Sequence, residues 1–441
     1  MTPSYVRLLA GTKLPRMALL RQSFVHDDIA DIGRGVHEAF AAAPHCLDRV
    51  RPGMSIALTV GSRGLASLPE LVAAIVGQLQ KRGAHPFIVP AMGSHGEASA
   101  QGQIELLATL GVTEQRAGCP IRSSMETVEI GRLDNGMSVR IDRYAQEADG
   151  IVLFNRIKPH TSFRAPNESG LVKMLAIGLG KQSGAESCHA RGLEWLPRLI
   201  EEMARVKLQK APVLFAVGTI ENAYDRVARI VVLPPEGLIA AEQPLLQEAM
   251  GNMPRLPLGP PDAPLASGPL DVLVVDFIGK EYSGTGMDPN ITGRSSNPAM
   301  TGGPEVSRIA VLDVTDKSKG NANGVARADV ITDRLFDKFN REAVYANCLT
   351  SNILASGALP MAMPSDLTAI QAAVKTCGAP DQAGISMLRV PNTLHLEYLQ
   401  ASEALLDSLA ARPGIEVLSE PADLVFDEYG NLDKTAWPGR H

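Results

Sequence analysis

The 441-residue sequence is poor in cysteine and in aromatic residues: five cysteines stand at positions 46, 119, 188, 348 and 377, and Phe, Trp and Tyr together make up 4%. The cysteines share no short regular spacing, so they outline neither a disulfide framework nor a Cys-based zinc site, and they suit a reducing compartment. No apolar run approaches the roughly 18 residues that a membrane-spanning helix requires. The early cations Arg7, Lys13 and Arg16 are followed by no apolar stretch of the kind that marks a secretory signal. An excess of positive charge is also lacking. With 42 Lys and Arg against 48 Asp and Glu, the net charge is −6 and the pI near 5.9, which gives no long-range attraction for phosphate backbones or anionic lipid. Internal repeats, heptads and low-complexity tracts are missing as well, so a solenoid or scaffold is a poor fit. The expectation is a soluble cytoplasmic protein whose partner is a small molecule, with no nucleic acid and no membrane.

What is present is a composition able to bury a core: 45% hydrophobic and 20% charged residues, mean hydropathy +0.02, with 40 glycines and 31 prolines. This balance suits α/β folds with many tight strand-to-helix loops. Residues 55–60 (SIALTV) read as a strand, the loop Gly61-Ser62-Arg63-Gly64 follows, and residues 68–82 carry helical spacing at Leu71, Ala74, Ile75 and Leu79. The unit recurs with a strand at 86–90, the loop AMGSHGE and a helix at 100–110 ending at Gly111. A third strand at 150–154 opens into NRIKPH. Residues 254–269 are proline-rich and without periodicity, which reads as a semi-rigid interdomain connection. Beyond them, strands at 270–277 and 307–314 repeat the plan. The expected architecture is two α/β domains with parallel-type sheets, 1–262 and 263–411, the active site in the cleft between them, and a segment 412–441 packing back on the first domain. In open parallel sheets ligands bind outside the carboxyl ends of the strands, so Arg63, His95 and His160 are candidates to converge.

Three of the nine histidines, His95, His160 and His189, lie in polar, glycine-bearing segments after strands. Each can serve as acid or base near neutral pH, or as a metal ligand. Each also has an ordinary reading: His95 as a loop residue capping the next helix, His160 as a stiffened loop residue behind Pro159, His189 as a helix surface residue beside a buried structural thiol, Cys188. No HExxH or CxxC links them. Lys173 sits in the apolar, glycine-rich SGLVKMLAIGLGK, where desolvation lowers an amine's pKa and makes it nucleophilic, unless the side chain snorkels to solvent. Gly170, Gly178 and Gly180 offer a weak signal for close approach to a phosphate.

Taken together, PAMGSHGEAS, KPHTSF, SGLVKMLAIGLG and an ESCH whose histidine falls 16 residues after the lysine (189 − 173 = 16) resemble the nickel-pincer lactate racemase family, the 2-hydroxyacid racemases and epimerases. The resemblance implies an isomerase whose cofactor is pyridinium-3,5-bisthiocarboxylic acid mononucleotide nickel, tethered to Lys173, with Gly170 and Gly178 beside it and His189 as the nickel ligand. It implies His95 and His160 as the acid–base pair on opposite faces of the substrate, and Arg63 as the clamp on its carboxylate.

Two segments depart from the family pattern. The stretch between His160 and Lys173 is longer, and the loop MDPNITGRSS lacks the Tyr-Gln pair and the lysine that contact substrate in the family. Arg294, Lys280, Lys317 or Lys319 are the cations available to replace that lysine, Arg294 being the choice for substrate binding. A sugar acid or a dicarboxylate fits as well as lactate. Two other readings stand beside the racemase: a cofactor-free or differently metallated lyase using the same histidines for proton abstraction, and a non-catalytic hydroxyacid- or nucleotide-binding protein.

Overall fold

The computed structural model describes residues 3–62, 64–189, 192–260, 265–297, 300–381, 384–435 and 437–438. The chain divides into two compact units, residues 26–252 and residues 1–25 with 253–441.

In the first unit the apolar runs become a five-stranded sheet in the order His85–Pro90, Ser55–Val60, Gly150–Arg156, Val213–Glu221, Val227–Leu233. The first four strands run parallel and the last is antiparallel. Both faces are covered, which is why these strands read as continuous hydrophobic runs rather than alternating ones. Ile56, Leu58 and Val60 face one core with Leu71, Ile75 and Leu79 of the helix Leu68–Lys81. Ala57, Ile151 and Leu153 face the other, against the helices Leu171–Ala176, Leu196–Lys210 and Leu238–Gly251. Leu71, Ile75 and Leu79 are fully buried at four-residue spacing, and each such side chain contributes about 1.5–3 kcal/mol relative to exposure.

The chain leaves Ser55–Val60 to form His85–Pro90 on one side, then returns to place Gly150–Arg156 on the other. That reversal makes the carboxyl end of Ser55–Val60 a topological switch point, where α/β sheets open a crevice.

The second unit holds an eight-stranded sheet, Met361–Met363, Val330–Thr332, Glu305–Val314, Pro269–Ile278, Met387–Val390, Tyr398–Ser402, Met17–Gln22, Ile415–Val417. The first five strands are parallel and the rest antiparallel. This changes the expected boundaries. Residues 17–22 belong to the second unit because they pair with Tyr398–Ser402. The segment 412–441 is also grouped with that unit and not with the first. Ile415–Val417 extends the sheet, Leu432 joins its core, and the Trp437 indole donates to buried Asp276 at 2.8 Å. Nor is the proline-rich stretch a linker. Leu256, Leu258 and Ala266 are buried in the core of the second unit, so its prolines shape a packed segment and the boundary falls at 252/253. No helix among the described residues is long and apolar enough to cross a membrane.

Candidate active site

Three loops leave the carboxyl ends of the adjacent strands His85–Pro90, Ser55–Val60 and Gly150–Arg156, and contacts tie them together. The Ser62 hydroxyl is hydrogen-bonded to His95 Nδ1. A Cβ on Gly61 would stand 3.1 Å from the Met174 methyl, so the first loop lies against the helix that carries Lys173. Asn155, at the end of its strand, donates to the Gly170 carbonyl at 2.9 Å. The Gly93 N–H reaches the Gly178 carbonyl at 3.3 Å. Because the His95 and His160 strands flank a common neighbour at about 4.8 Å spacing, their ends lie roughly 10 Å apart.

The His95 loop is strained and held from beneath. Gly93, Gly96, Glu97 and Ala98 all have positive φ, a conformation that costs a non-glycine residue of order 1–2 kcal/mol. Ser99, not His95, caps the helix Ala100–Thr109 by accepting the Gly102 N–H. Fully buried Gln103 donates to the carbonyls of Gly93 and His95 at 3.0 and 3.2 Å. The Gln103 carbonyl oxygen in turn accepts from Lys181 Nζ at 2.9 Å, and Lys181 also donates to Pro90 O at 2.6 Å and faces Asp142 at 3.2 Å. Lys181 and Asp142 are both fully buried. Burial pulls the lysine's pKa down and pushes the carboxyl's up, and their mutual attraction opposes both shifts.

The His160 loop is organised from within. Backbone bonds between Lys158 and Ser169 close its ends, and buried Glu168 accepts the N–H groups of His160 at 2.5 Å and Ala165 at 3.1 Å. Burial raises the Glu168 pKa against these bonds and the nearby Arg164. His160 Nδ1 accepts the Ser162 N–H at 3.0 Å, which puts the proton of the neutral ring on Nε2. The imidazole stacks on Phe163, centroids 4.2 Å apart and planes 25° apart, and Lys173 Nζ stands 5.7 Å from the centre of the same ring. One buried aromatic thus joins the histidine to the half-buried lysine.

Residues 39–217, all within the first unit, match the family model of the lactate racemase N-terminal domain. That stretch is similar to the lactate racemase N-terminal domain. Among solved structures it is similar to the lactate racemase apoprotein from Thermoanaerobacterium thermosaccharolyticum, at 14% identity and a TM-score of 0.47 over 78% of this chain and 83% of that one. No curated protein matches.

Within the matched residues, His95 and His160 stand on the gathered loops and Lys173 on the short helix that follows the His160 loop. Arg63 lies outside the described residues. His189 ends the helix Lys181–His189, and its side chain also lies outside them. Among the described residues no three His, Cys, Asp or Glu gather as a metal site. Cys188 is the buried thiol its setting suggested, with burial pushing it up to about 11. At Gly170 and Gly178 the close approach is made by the chain's own atoms. A Cβ on Gly170 would meet the Glu242 carboxylate at 2.5 Å, and one on Gly178 would meet Ala91 O at 2.5 Å, so both are glycine because the chain's own atoms approach there.

In the second unit Arg294 is committed elsewhere than to a substrate. Its guanidinium binds Asp329 at 2.6 Å and the carbonyls of Val306, Ser307 and Arg327, bracing the loop to the strand Glu305–Val314. The MDPNIT part of that loop is buried. Lys280 binds Gly284 O and Asn347, while Lys317 and Lys319 are exposed in a turn. Sequence reasoning missed Ser62, Gln103, Asp142, Phe163, Glu168 and Glu242. Ser62, Phe163 and Glu168 lay inside loop segments already singled out.

Proposed function

We propose that the protein is a cytoplasmic racemase or 2-epimerase of a 2-hydroxyacid, with Lys173 holding the nickel-pincer nucleotide and His189 supplying a ligand to its metal. The observation that carries this reading is the gathering of the His95 and His160 loops and the Lys173 helix around one switch point, within residues matched by the lactate racemase model. The residues present suit the group. An amine beside an aromatic face can receive a flat pyridinium ring, and a pincer that brings its own sulfur and carbon donors needs little more than one imidazole, a donor set compatible with Ni(II). When bound, the group supplies a hydride acceptor for the substrate's C2.

The chain's own residues would then hold the acid and move its hydroxyl proton. Arg63, in the loop between the histidine loops, would clamp the carboxylate through paired N–H groups. His95 and His160, from opposite sides, would exchange roles as base and acid at the hydroxyl oxygen. The Ser62 hydroxyl suits His95 to this task, because it can donate to or accept from Nδ1 and so keep the bond through a change of protonation.

The test expresses the protein with the cofactor pathway and supplies a panel of 2-hydroxyacids deuterated at C2. Racemisation with retained label and a mass adduct on Lys173 would support the reading. Exchange of the label with solvent, or an active enzyme with unmodified Lys173, would replace it with proton abstraction.

A further inference from the structure

The helix that carries Lys173, Leu171–Ala176, has only six residues, far fewer than the roughly 12–15 a helix needs to persist by itself in water. Two buried groups of opposite sign hold its ends. At the N-terminus Glu242, from the helix Leu238–Gly251, accepts the N–H groups of Leu171 and Val172 and is fixed by Asn167 at 3.2 Å. At the C-terminus Lys207, from the helix Leu196–Lys210, donates to Leu175 O and Ala176 O, both at 2.9 Å. Glu242 is 1% exposed and Lys207 not at all. The signs match the helix dipole, a carboxylate at the positive end and an ammonium at the negative end. Gly170 is part of the arrangement, since a side chain there would displace the carboxylate.

An apolar side chain in either niche would fill the core without desolvating an ionisable group. What it would not do is bond the four backbone groups at the two ends. We infer that Glu242 and Lys207 are positioning residues for the Lys173 amine, clamping the short helix at both ends so that the amine is presented beside the Phe163 ring. This inference rests on the reading of Lys173 as the attachment lysine. Burial supports it independently: Lys207, whose hydrogen bonds go to the two helix-end carbonyls, is pushed down to about 7 by burial, so the fold keeps a desolvated donor where a methionine would pack.

The test needs neither cofactor nor substrate. The purified protein is pulsed with acetic anhydride across a pH series, and peptide mass analysis gives the labelling of Lys173 relative to exposed Lys81. The groups facing Lys173 whose charge enters that profile are Glu168 and Cys188, with His160 across Phe163 and Lys207 behind the helix. In Lys207→Met the ratio is expected to rise about tenfold as the helix end opens locally, with a displaced pH midpoint. Lys207→Gln, which keeps N–H donors for the carbonyls without the charge, is expected to return the ratio to within about threefold of the parent. If Lys207→Met does not fold, Glu242→Met, which removes the acceptor of the Leu171 and Val172 N–H groups, carries the same expectation, and Glu242→Gln, which keeps an acceptor oxygen, the same return. A folded variant with the parent's ratio and midpoint overturns the clamp. Because only amine chemistry is read, that outcome leaves the racemase reading standing, and a failed racemisation assay leaves the clamp standing.

Discussion

The His95 loop and the Lys173 helix are each organised by a buried lysine, and the two lysines are held in opposite ways. Lys181, beneath the His95 loop, has a buried carboxylate, Asp142, as well as Gln103 and Pro90 O. Lys207, behind the Lys173 helix, has two carbonyl oxygens and a thiol that stays protonated. Attraction to Asp142 offsets part of the cost of burying Lys181, whereas the Lys207 ammonium loses its proton near neutrality. The histidines differ in the same sense: His95 leans on a hydroxyl that can reverse its bond, His160 on a backbone N–H that can only donate. The Ser62 hydroxyl can follow either protonation state of His95, whereas the Ser162 N–H fixes the orientation of the neutral His160 ring.

The largest effects should come from the histidines themselves. His95→Ala and His160→Ala should each lower turnover of both enantiomers by about 10²- to 10⁴-fold, the range for a lost general acid–base group. Because the enantiomers are equal in energy, each variant must lose the same factor in kcat/KM in both directions. Full activity in either would reduce that histidine to a loop residue.

Next is the ion pair beneath the His95 loop. Lys181→Met leaves Asp142 buried without its partner and should cost about 3–5 kcal/mol in urea denaturation. Replacing both members by apolar residues, Lys181→Met with Asp142→Leu, should recover much of that stability while leaving Gln103 without its lysine. If the double variant is as active as the parent, the network is structural and does not orient His95.

Much of this arrangement was legible in the sequence, and what was not has identifiable causes. The strands of the first unit read directly because two covered faces demand continuous apolar runs, as in SIALTV. The gathering of the histidine loops followed from a rule about strand ends. The strand Met17–Gln22 was missed because its partners, Tyr398–Ser402 and Ile415–Val417, lie at the other end of the chain. The prolines of 254–269 hid Leu256 and Leu258, whose burial depends on neighbours and not on periodicity. Gly170 and Gly178 were visible as positions of close approach, but the sequence does not state what approaches. Asp142 and Glu242 carry no signal of burial, since a carboxylate is usually exposed unless a distant partner takes it inside.

The difference between the two lysines also predicts a pH dependence. Lys207 has a folded pKa of about 7 against an ordinary value of 10.5, so between these values the unfolded chain binds a proton that the folded one does not. Stability should therefore rise with pH through this window, and be lost as pH falls toward 7, by about 1.4 kcal/mol per pH unit from this group. The measurement is urea denaturation of the parent and Lys207→Met between pH 7 and 9, below the range in which the thiols of Cys119 and Cys188, raised to about 11, add an opposing slope. The slope should disappear in the variant. The same comparison with Lys181→Met should show a smaller change, because Asp142 holds that proton in place.

The smallest effect tests the difference between the histidines' partners. Ser62→Ala removes the hydroxyl that serves His95 Nδ1 in either protonation state, and should lower kcat by up to about tenfold, the loss of one net hydrogen bond, with a displaced pH profile. Ser162→Ala keeps its bond to His160, because the backbone N–H donates it, and should stay within about twofold of the parent. The pair separates a side-chain hydroxyl bonded to one histidine from a backbone N–H bonded to the other. Were the two variants to show the same kcat and the same pH profile, the reversible bond at Ser62 would have no part in the reaction, and the two histidines would differ in position alone.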